Sequence, residues 1–247
     1  MKKSIIAVIV ILAMMMSVSL MVGCSKRSAT TPEEEPTAGP TSTHTVAVVP
    51  TPIDDFEDAN LADGVFYANL LGGTWVASQD THSSLTFTSS TDVGGGTYSG
   101  LITAGLNDNT GAFWAWTSVA GDLNALATAV DFNVLTTNGY TGLRLKMKGA
   151  YGTGSAANTF FLIQLPSTAQ TNDVKYRVAW TPVTSWTTVS FPFSSFTVPG
   201  WAQGTADDKP RDVYYAGVRA IEFSIAAAAQ PVSTSNTQWW IDDIEFY

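Results

Sequence analysis

Alternation of apolar and polar side chains is the dominant pattern of this chain from residue 53 onward. It is clearest where Leu143, Leu145 and Met147 alternate with three cationic side chains. Successive side chains of a β-strand point to opposite faces, so this segment is predicted to be a strand with one face in a core. No segment after residue 53 carries a sustained helical period, which favours an all-β fold.

Shorter alternations of the same kind, separated by Gly, Asn, Asp and Thr, predict further strands in this region. The predicted strands are residues 74–78, 85–88, 98–103, 112–118, 129–134, 143–148, 160–165, 175–180, 187–193, 220–225 and 239–246. Such a series without helices is typical of a two-sheet antiparallel β-sandwich, most simply a jelly roll. We therefore predict one all-β domain over residues 53–247.

The first residues of the chain have a different pattern. A lysine pair precedes a short apolar run over residues 5–16, and Gly23 precedes Cys24, the only cysteine. This order is typical of a bacterial lipoprotein, with residues 1–23 as the signal peptide and Cys24 as the lipidated residue. With its single thiol lipidated, the mature chain is expected to contain no disulfide.

Residues 24–52 are rich in Thr, Pro and Glu and offer little that a core would bury. They are predicted to be a disordered linker between the lipid and the domain. The residue after Cys24 is Ser25 rather than Asp, which resembles an outer-membrane destination in a bacterium with two membranes. We therefore expect an exported protein, lipid-anchored to the cell envelope at the outer membrane or cell surface.

The charge balance limits the partners that the chain can have. Its formal net charge is −9, and only 13% of its residues are charged. An acidic chain is a poor partner for nucleic acid and for anionic lipid headgroups. A surface built from Thr, Ser, Gly and Ala favours neutral polar ligands such as sugars.

The chain lacks the residues of most hydrolytic sites. Its two histidines, His44 and His82, have neither metal-ligand spacing nor a serine-nucleophile context. Glycoside hydrolysis needs only two carboxylates, but Glu57, Glu222 and Glu245 are the only glutamates after residue 53. Hydrolysis of a glycan is therefore the least favoured function.

Aromatic side chains are the strongest indication of a ligand. Eight tryptophans are more than one core easily buries, and flat indoles stack on the C–H faces of sugar rings. Trp75 follows Gly72-Gly73-Thr74 and Trp201 follows Pro199-Gly200, and both are predicted to lie exposed at loop tips. Trp114 and Trp116 share one side of a strand and belong either to the core or to a stacking platform. Trp240 is predicted to be in the core, provided that no bulge interrupts the neighbouring Asp pair.

Polar partners for a sugar are predicted on two strands. Alternation in residues 220–225 sends Glu222 and Ser224 outward, so Glu222 is either an acceptor for a sugar hydroxyl or a solvated glutamate. On residues 175–180, Tyr176 lies on the side opposite Lys175 and Arg177. Alternation alone leaves open which of these two sides faces a ligand, and Tyr176 is a candidate.

Two short acidic segments lie at the start and the end of the predicted domain. Asp55 and Glu57 belong to the first, and Asp242 and Asp243 to the second. If the first and last strands pair, these four carboxylates meet at one seam and suit a structural Ca²⁺ ion bound through oxygen. The alternative is that they only cap strand ends in solvent.

The segment TSWTTVSFPFSSF over residues 184–196 resembles family 11 carbohydrate-binding modules and the related complex I intermediate-associated protein domains. Further resembling segments occur in the same order at residues 53–57, 142–148, 218–224 and 240–246. The resemblance implies a jelly roll that binds β-glucan chains in a concave cleft, commonly with structural calcium.

The resemblance also implies positions for the cleft. The positions near cleft aromatics are Trp75, Phe113 or Trp114, and Trp201, and those near a cleft acid are Asn172 or Asp173. Glu222 stands in place of a different polar residue, Arg219 where an acid is expected, and Ile225 where a further aromatic is expected. These departures leave the particular glucan open.

We therefore expect a membrane-anchored lipoprotein with a noncatalytic module for a β-linked polysaccharide, β-glucan above all, or an envelope glycan. The alternative is a structural or assembly lipoprotein that binds another envelope protein. The related assembly domains share the terminal segments without known sugar binding, so the fold alone does not decide between the two functions.

Overall fold

The computed structural model describes residues 51–57, 73–108, 115–123, 130–154, 159–227 and 232–247. The strands are β1 Thr51–Asp54, β2 Trp75–Gln79, β3 Ser84–Ser90, β4 Ser99–Gly105, β5 Asn107–Asp108, β6 Ala115–Asp122, β7 Gly142–Ala150, β8 Thr159–Leu165, β9 Tyr176–Trp180, β10 Thr187–Pro192, β11 Ala220–Ala227, β12 Val232–Ser233 and β13 Thr237–Phe246. The helices are α1 Phe132–Thr137, α2 Arg211–Tyr215 and a 3-10 helix Phe193–Ser195.

Two antiparallel sheets form the fold. The first sheet has the order β10-β7-β13-β4-β3, with β1 also paired to β13, and the second has the order β2-β6-β11-β8-β9. A short third pairing joins β5 to β12. The predicted all-β sandwich is confirmed, and its first and last strands pair, with Thr51 opposite Phe246.

The core lies between the inward faces of the two sheets. Leu143, Leu145 and Met147 are buried on β7, as their alternation predicts. From the second sheet, the ring centre of Phe223 lies 5.2 Å from that of Trp239 in a perpendicular arrangement. Edge-to-face contacts of this kind add to the apolar burial that holds two sheets together.

A β-bulge on β13 explains how its whole length contributes to the core. The register with β7 shifts between Asp242 and Glu245, and Asp243 has a φ of 46°. The extra residue at the bulge exchanges the two faces of the strand. Odd-numbered residues such as Trp239 therefore face the core before the bulge, and even-numbered residues such as Ile244 face it afterwards. The core position predicted for Trp240 is wrong: its ring faces outward, with the Lys148 ammonium 4.4 Å from its centre.

The expectation of a fold without helices is also wrong. Residues 129–134 were expected to form a strand, but α1 begins at Phe132. Asp131 caps this helix, because its carboxylate accepts hydrogen bonds from the backbone N–H groups of Asn133 and Val134. An Asp that precedes the first buried residue of a helix is a common start signal.

Residues 1–50 lie outside the described part of the chain, and with them the predicted signal peptide, Cys24 and most of the linker. Within the described ranges, no helix has the length and apolar character needed to cross a membrane.

Candidate functional site

A groove runs across the outward face of the second sheet. Its floor is the central strand β11, whose outward side chains Glu222, Ser224 and Ala226 are only 6%, 3% and 4% exposed. Ser224 and Ala226 are short, and each has a longer neighbour across the sheet, Leu162 on β8 and Trp116 on β6. Short side chains on β11 flanked by longer ones on β6 and β8 produce a groove.

Two adjoining depressions make up this groove. The first, of about 250 Å³, is lined by Trp116, Leu162, Gln164, Asp173, Lys175, Arg177, Trp201, Glu222, Ser224 and Ala226. The second, of about 350 Å³, is lined by Phe160, Leu162, Arg177, Ala179, Thr197, Val198, Pro199, Gly200 and Gln203. Leu162 and Arg177 line both, so the depressions are continuous.

Two exposed indoles line the first depression. Trp116 on β6 is 37% exposed, and Trp201, in the segment after the 3-10 helix, is 56% exposed. The segment that carries Trp201 is joined to β9 by a pair of backbone hydrogen bonds between Thr197 and Arg177, at 3.0 and 2.9 Å. The structure therefore brings together two of the predicted aromatic candidates in one groove.

A buried hydrogen-bonded ion pair occupies the floor. The Lys175 ammonium donates to both carboxylate oxygens of Glu222, at 3.0 and 2.9 Å. The side-chain amide of Gln164 donates to one of the same oxygens at 2.9 Å. Because each partner is satisfied, Glu222 is held in one orientation despite its burial. The prediction that Glu222 projects outward is confirmed.

Arg177 differs from Lys175 although both project into the groove. It is half-buried, and burial lowers the pKa of its guanidinium from the ordinary value. No side chain among the described residues accepts a hydrogen bond from that guanidinium or forms an ion pair with it. The groove thus contains one positive charge, on Arg177, that no described side chain pairs with directly.

Asn172 and Asp173 form the turn before β9, both in the left-handed region with φ of 49° and 57°. Asp173 is exposed and lines the first depression. The Asn172 amide instead donates to both carboxylate oxygens of Asp207, at 3.0 and 2.9 Å. Asn172 therefore ties this turn to the segment that follows Trp201.

The exposed position expected for Trp75 is wrong. Its side chain is fully buried, and its indole N–H donates to Asp54 at 2.5 Å. The cause is its place on β2, where it faces Gly121 of β6. A side chain on Gly121 would begin 2.7 Å from the Trp75 ring, so the missing side chain makes the room that the indole fills. Trp75 is a core residue and presents no face to a ligand.

Tyr176 also does not belong to the groove. It is 6% exposed and faces inward, with its ring centre 4.6 Å from that of Tyr214. Its hydroxyl donates to the carbonyl of Lys209 at 3.0 Å. Alternation left open which side of this strand faces a ligand. In the structure Lys175 and Arg177 face the groove, and Tyr176 faces the core.

The remaining predicted groove residues lie elsewhere or outside the described part of the chain. Arg219 is exposed just before β11 but lines neither depression. Ile225 is buried on the inward side of β11. Phe113 and Trp114 are not among the described residues, so their candidacy stays a prediction.

The four predicted calcium ligands have other partners. Glu57 accepts hydrogen bonds from the backbone N–H groups of Tyr98 and Thr97, which lower the pKa of its carboxyl. Asp55 accepts from the N–H of Glu57 at 3.2 Å. Asp243 pairs with the Lys146 ammonium at 2.5 Å.

Asp242 is fully buried at the bulge. Burial raises the pKa of its carboxyl to about 6, although the N–H groups of Gly95, Gly94 and Asp243 donate to it. The described residues contain no group of three or more His, Cys, Asp or Glu side chains arranged to hold a metal ion. Structural calcium therefore stays a prediction.

Sequence reasoning missed several residues of the groove. Alternation predicts that Lys175 and Arg177 share one side of their strand. It does not predict that Gln164 lies beside Glu222 and Arg177, because that depends on the register of β8 with β11 and with β9. Phe160 also lines the groove, and its parity in residues 160–165 was the available signal.

Comparisons with solved structures find several carbohydrate-binding modules with a similar fold. A family 11 module of the cellulosomal cellulase Lic26A-Cel5E of Clostridium thermocellum is 18% identical, with 81% of this chain and 95% of that chain covered at a TM-score of 0.51. A family 11 module from Clostridium thermocellum in complex with a β-1,3-1,4-mixed-linked tetrasaccharide is 19% identical, with coverages of 81% and 96% and a TM-score of 0.49.

A third structure, Caldicellulosiruptor saccharolyticus CBM27-1 in complex with mannohexaose, is 14% identical, with coverages of 81% and 97% and a TM-score of 0.42. No protein-family model and no curated protein match this chain. The chain shares its β-sandwich fold with the family 11 module of Lic26A-Cel5E.

Proposed function

We propose that this domain binds a β-linked polysaccharide, without hydrolysing it, in the groove of the second sheet. The observation that carries the proposal is the pairing of two exposed indoles, Trp116 and Trp201, with a polar floor. Indole faces attract the C–H faces of sugar rings, and fixed polar groups select the hydroxyl pattern. The fold supports a β-glucan as the first ligand to test, because the similar family 11 module belongs to a cellulase.

A binding role explains the polar floor better than hydrolysis does. The groove-lining carboxylates among the described residues are Asp173 and Glu222. Both oxygens of Glu222 accept from Lys175, and one also accepts from Gln164. Hydrolysis requires one carboxyl to act as a proton donor and the other as a base or nucleophile. A carboxylate with these bonds is a positioned acceptor.

Isothermal titration with a soluble mixed-linked β-glucan tests the proposal. Trp116→Ala and Trp201→Ala should each weaken binding by about tenfold or more, since an aromatic contact is worth roughly 0.5–1.5 kcal/mol beyond the apolar area that it buries, and each substitution removes both. Trp186→Ala is the matched control, because its indole contacts Asp92 and Lys148 at the first sheet. Equal affinity for all four proteins would remove the assignment of the groove.

We also propose that lipid on Cys24 anchors the protein to the cell envelope and that the linker holds the domain away from the membrane. The support is the signal-peptide pattern described above. Recovery of Cys24→Ala in the membrane fraction at the wild-type level would contradict the anchor.

Structural calcium is proposed on the acidic residues at the two ends of the domain, which are Asp55, Glu57, Asp242 and Asp243. A melting temperature that chelator does not change would count against it.

A further inference from the structure

Arg177 occupies the centre of the groove. It lies opposite Gln164 in the pairing of β8 with β9, and it lines both depressions. Its backbone is fixed on two sides, by that pairing and by the two hydrogen bonds to Thr197. The guanidinium therefore projects from a rigid part of the sheet.

The charge of Arg177 is not balanced by the described side chains around it. Lys175 is paired with Glu222, so these two cancel. Asp173 lies at the first depression, where it is exposed and therefore screened by solvent. Among the residues that line the second depression, Arg177 alone carries a charge.

A half-buried cation that no described side chain pairs with costs free energy of folding, and the same burial lowers the pKa of Arg177. Sugar hydroxyls can satisfy its N–H donors, but they leave the charge uncompensated. A carboxylate does both, because its two oxygens match the planar guanidinium fork with two parallel hydrogen bonds. The groove thus offers more to an anionic sugar than to a neutral one.

We propose that the groove prefers a β-linked glycan that carries uronate units and that Arg177 binds the carboxylate of one such unit. This inference rests on the proposed polysaccharide binding and names the substrate class of the same groove. It departs from the neutral ligand that the acidic composition favours. The net charge of −9 repels anions at long range, but at about 0.15 M salt such repulsion is screened beyond about 8 Å.

The test compares two oligosaccharides of one length and linkage, cellotetraose and a β-1,4-linked tetraglucuronate, by isothermal titration at about 0.15 M salt. The wild-type protein should bind the uronate about tenfold more tightly, as expected for a bidentate charged pair. Arg177→Gln should reduce that ratio to about one. Arg177→Lys should retain part of the preference, since it keeps the charge but loses the fork.

Arg144→Gln is the matched control, because Arg144 lies on the first sheet and pairs with Glu245. It removes the same charge from the protein and should leave the ratio unchanged. Thermal melting of Arg177→Gln should show no loss of stability, since Arg177 has no partner among the described side chains to lose. A ratio near one in the wild-type protein, or a preference that survives Arg177→Gln, overturns the inference.

The outcomes separate this inference from the proposed function. If cellotetraose or the mixed-linked glucan binds and the uronate binds no more tightly, polysaccharide binding stands and the role of Arg177 is wrong. If neither tetrasaccharide nor any glucan binds, the proposed function fails and the inference fails with it.

Discussion

At the scale of single residues, the role of a tryptophan depends on whether its side chain points into the core or toward solvent. Trp75 and Trp201 look alike in the sequence, since a glycine lies one or two residues before each of them. One fills the space above Gly121 in the core, and the other is 56% exposed beside the groove. Nothing near Trp75 in the sequence reveals its partner, because Gly121 lies on a different strand. Local sequence therefore predicted one of these two tryptophans correctly and failed on the other.

Substitution of Trp75 separates a core role from a ligand role. We expect Trp75→Ala to lower the free energy of unfolding by about 3–5 kcal/mol, because it leaves a cavity among Phe56, Phe87 and Phe223. Denaturant unfolding measures this loss. The affinity of the folded variant for a β-glucan should equal that of the wild type. Lost affinity with unchanged stability would show that the ring contacts the ligand.

At the scale of elements, the register between paired strands determines which side chains share a surface, and alternation within one strand does not. The predicted strands 143–148 and 187–193 correspond to β7 and β10. β7 has one buried face with a period of two, whereas Phe191 is the one buried residue of β10, and Phe193 already begins the 3-10 helix. The bulge at Asp242 and Asp243 reversed the expected direction of Trp240, since one extra residue exchanges the two faces of a strand. The groove arises from the registers of β6 and β8 on β11 and of β9 on β8, and no single segment encodes it.

The turn between β2 and β3 is a second element on which the groove depends. Asp80 accepts hydrogen bonds from the backbone N–H groups of Trp116, His82 and Ser83, at 2.7, 2.8 and 2.7 Å. Burial acts to raise the pKa of its carboxyl, but these hydrogen bonds outweigh burial and lower it. The carboxylate thus fixes the backbone that carries one of the two indoles.

A lowered folded-state pKa means that Asp80 stabilises the fold when it is ionised and that this stability is lost as the pH falls. We expect Asp80→Ala to cost roughly 1–2 kcal/mol at pH 7. The difference from wild type should shrink as the pH falls below about 4, because the unfolded chain then binds a proton that the folded state binds only at a still lower pH. Denaturant unfolding at pH 7 and at pH 3 measures it, and a constant difference would contradict this role.

At the scale of the whole molecule, the two sheets have different outer surfaces. On the first sheet the Lys148 ammonium lies near the rings of Trp186 and Trp240, at 5.6 and 4.4 Å from their centres. These indoles already have a cationic partner. On the second sheet Trp116 and Trp201 border a groove. The β-sandwich was predictable from periodicity, whereas the choice of ligand face required the paired strands.

The most direct test of this account records the indole N–H signals of ¹⁵N-labelled protein by NMR during titration with a mixed-linked β-glucan oligosaccharide. Each signal is assigned by substitution of its tryptophan. The account predicts that the signals of Trp116 and Trp201 move with the ligand while those of Trp186 and Trp240 stay in place. Shifts confined to Trp186 and Trp240, or no shift at any indole under saturating glucan, would contradict it.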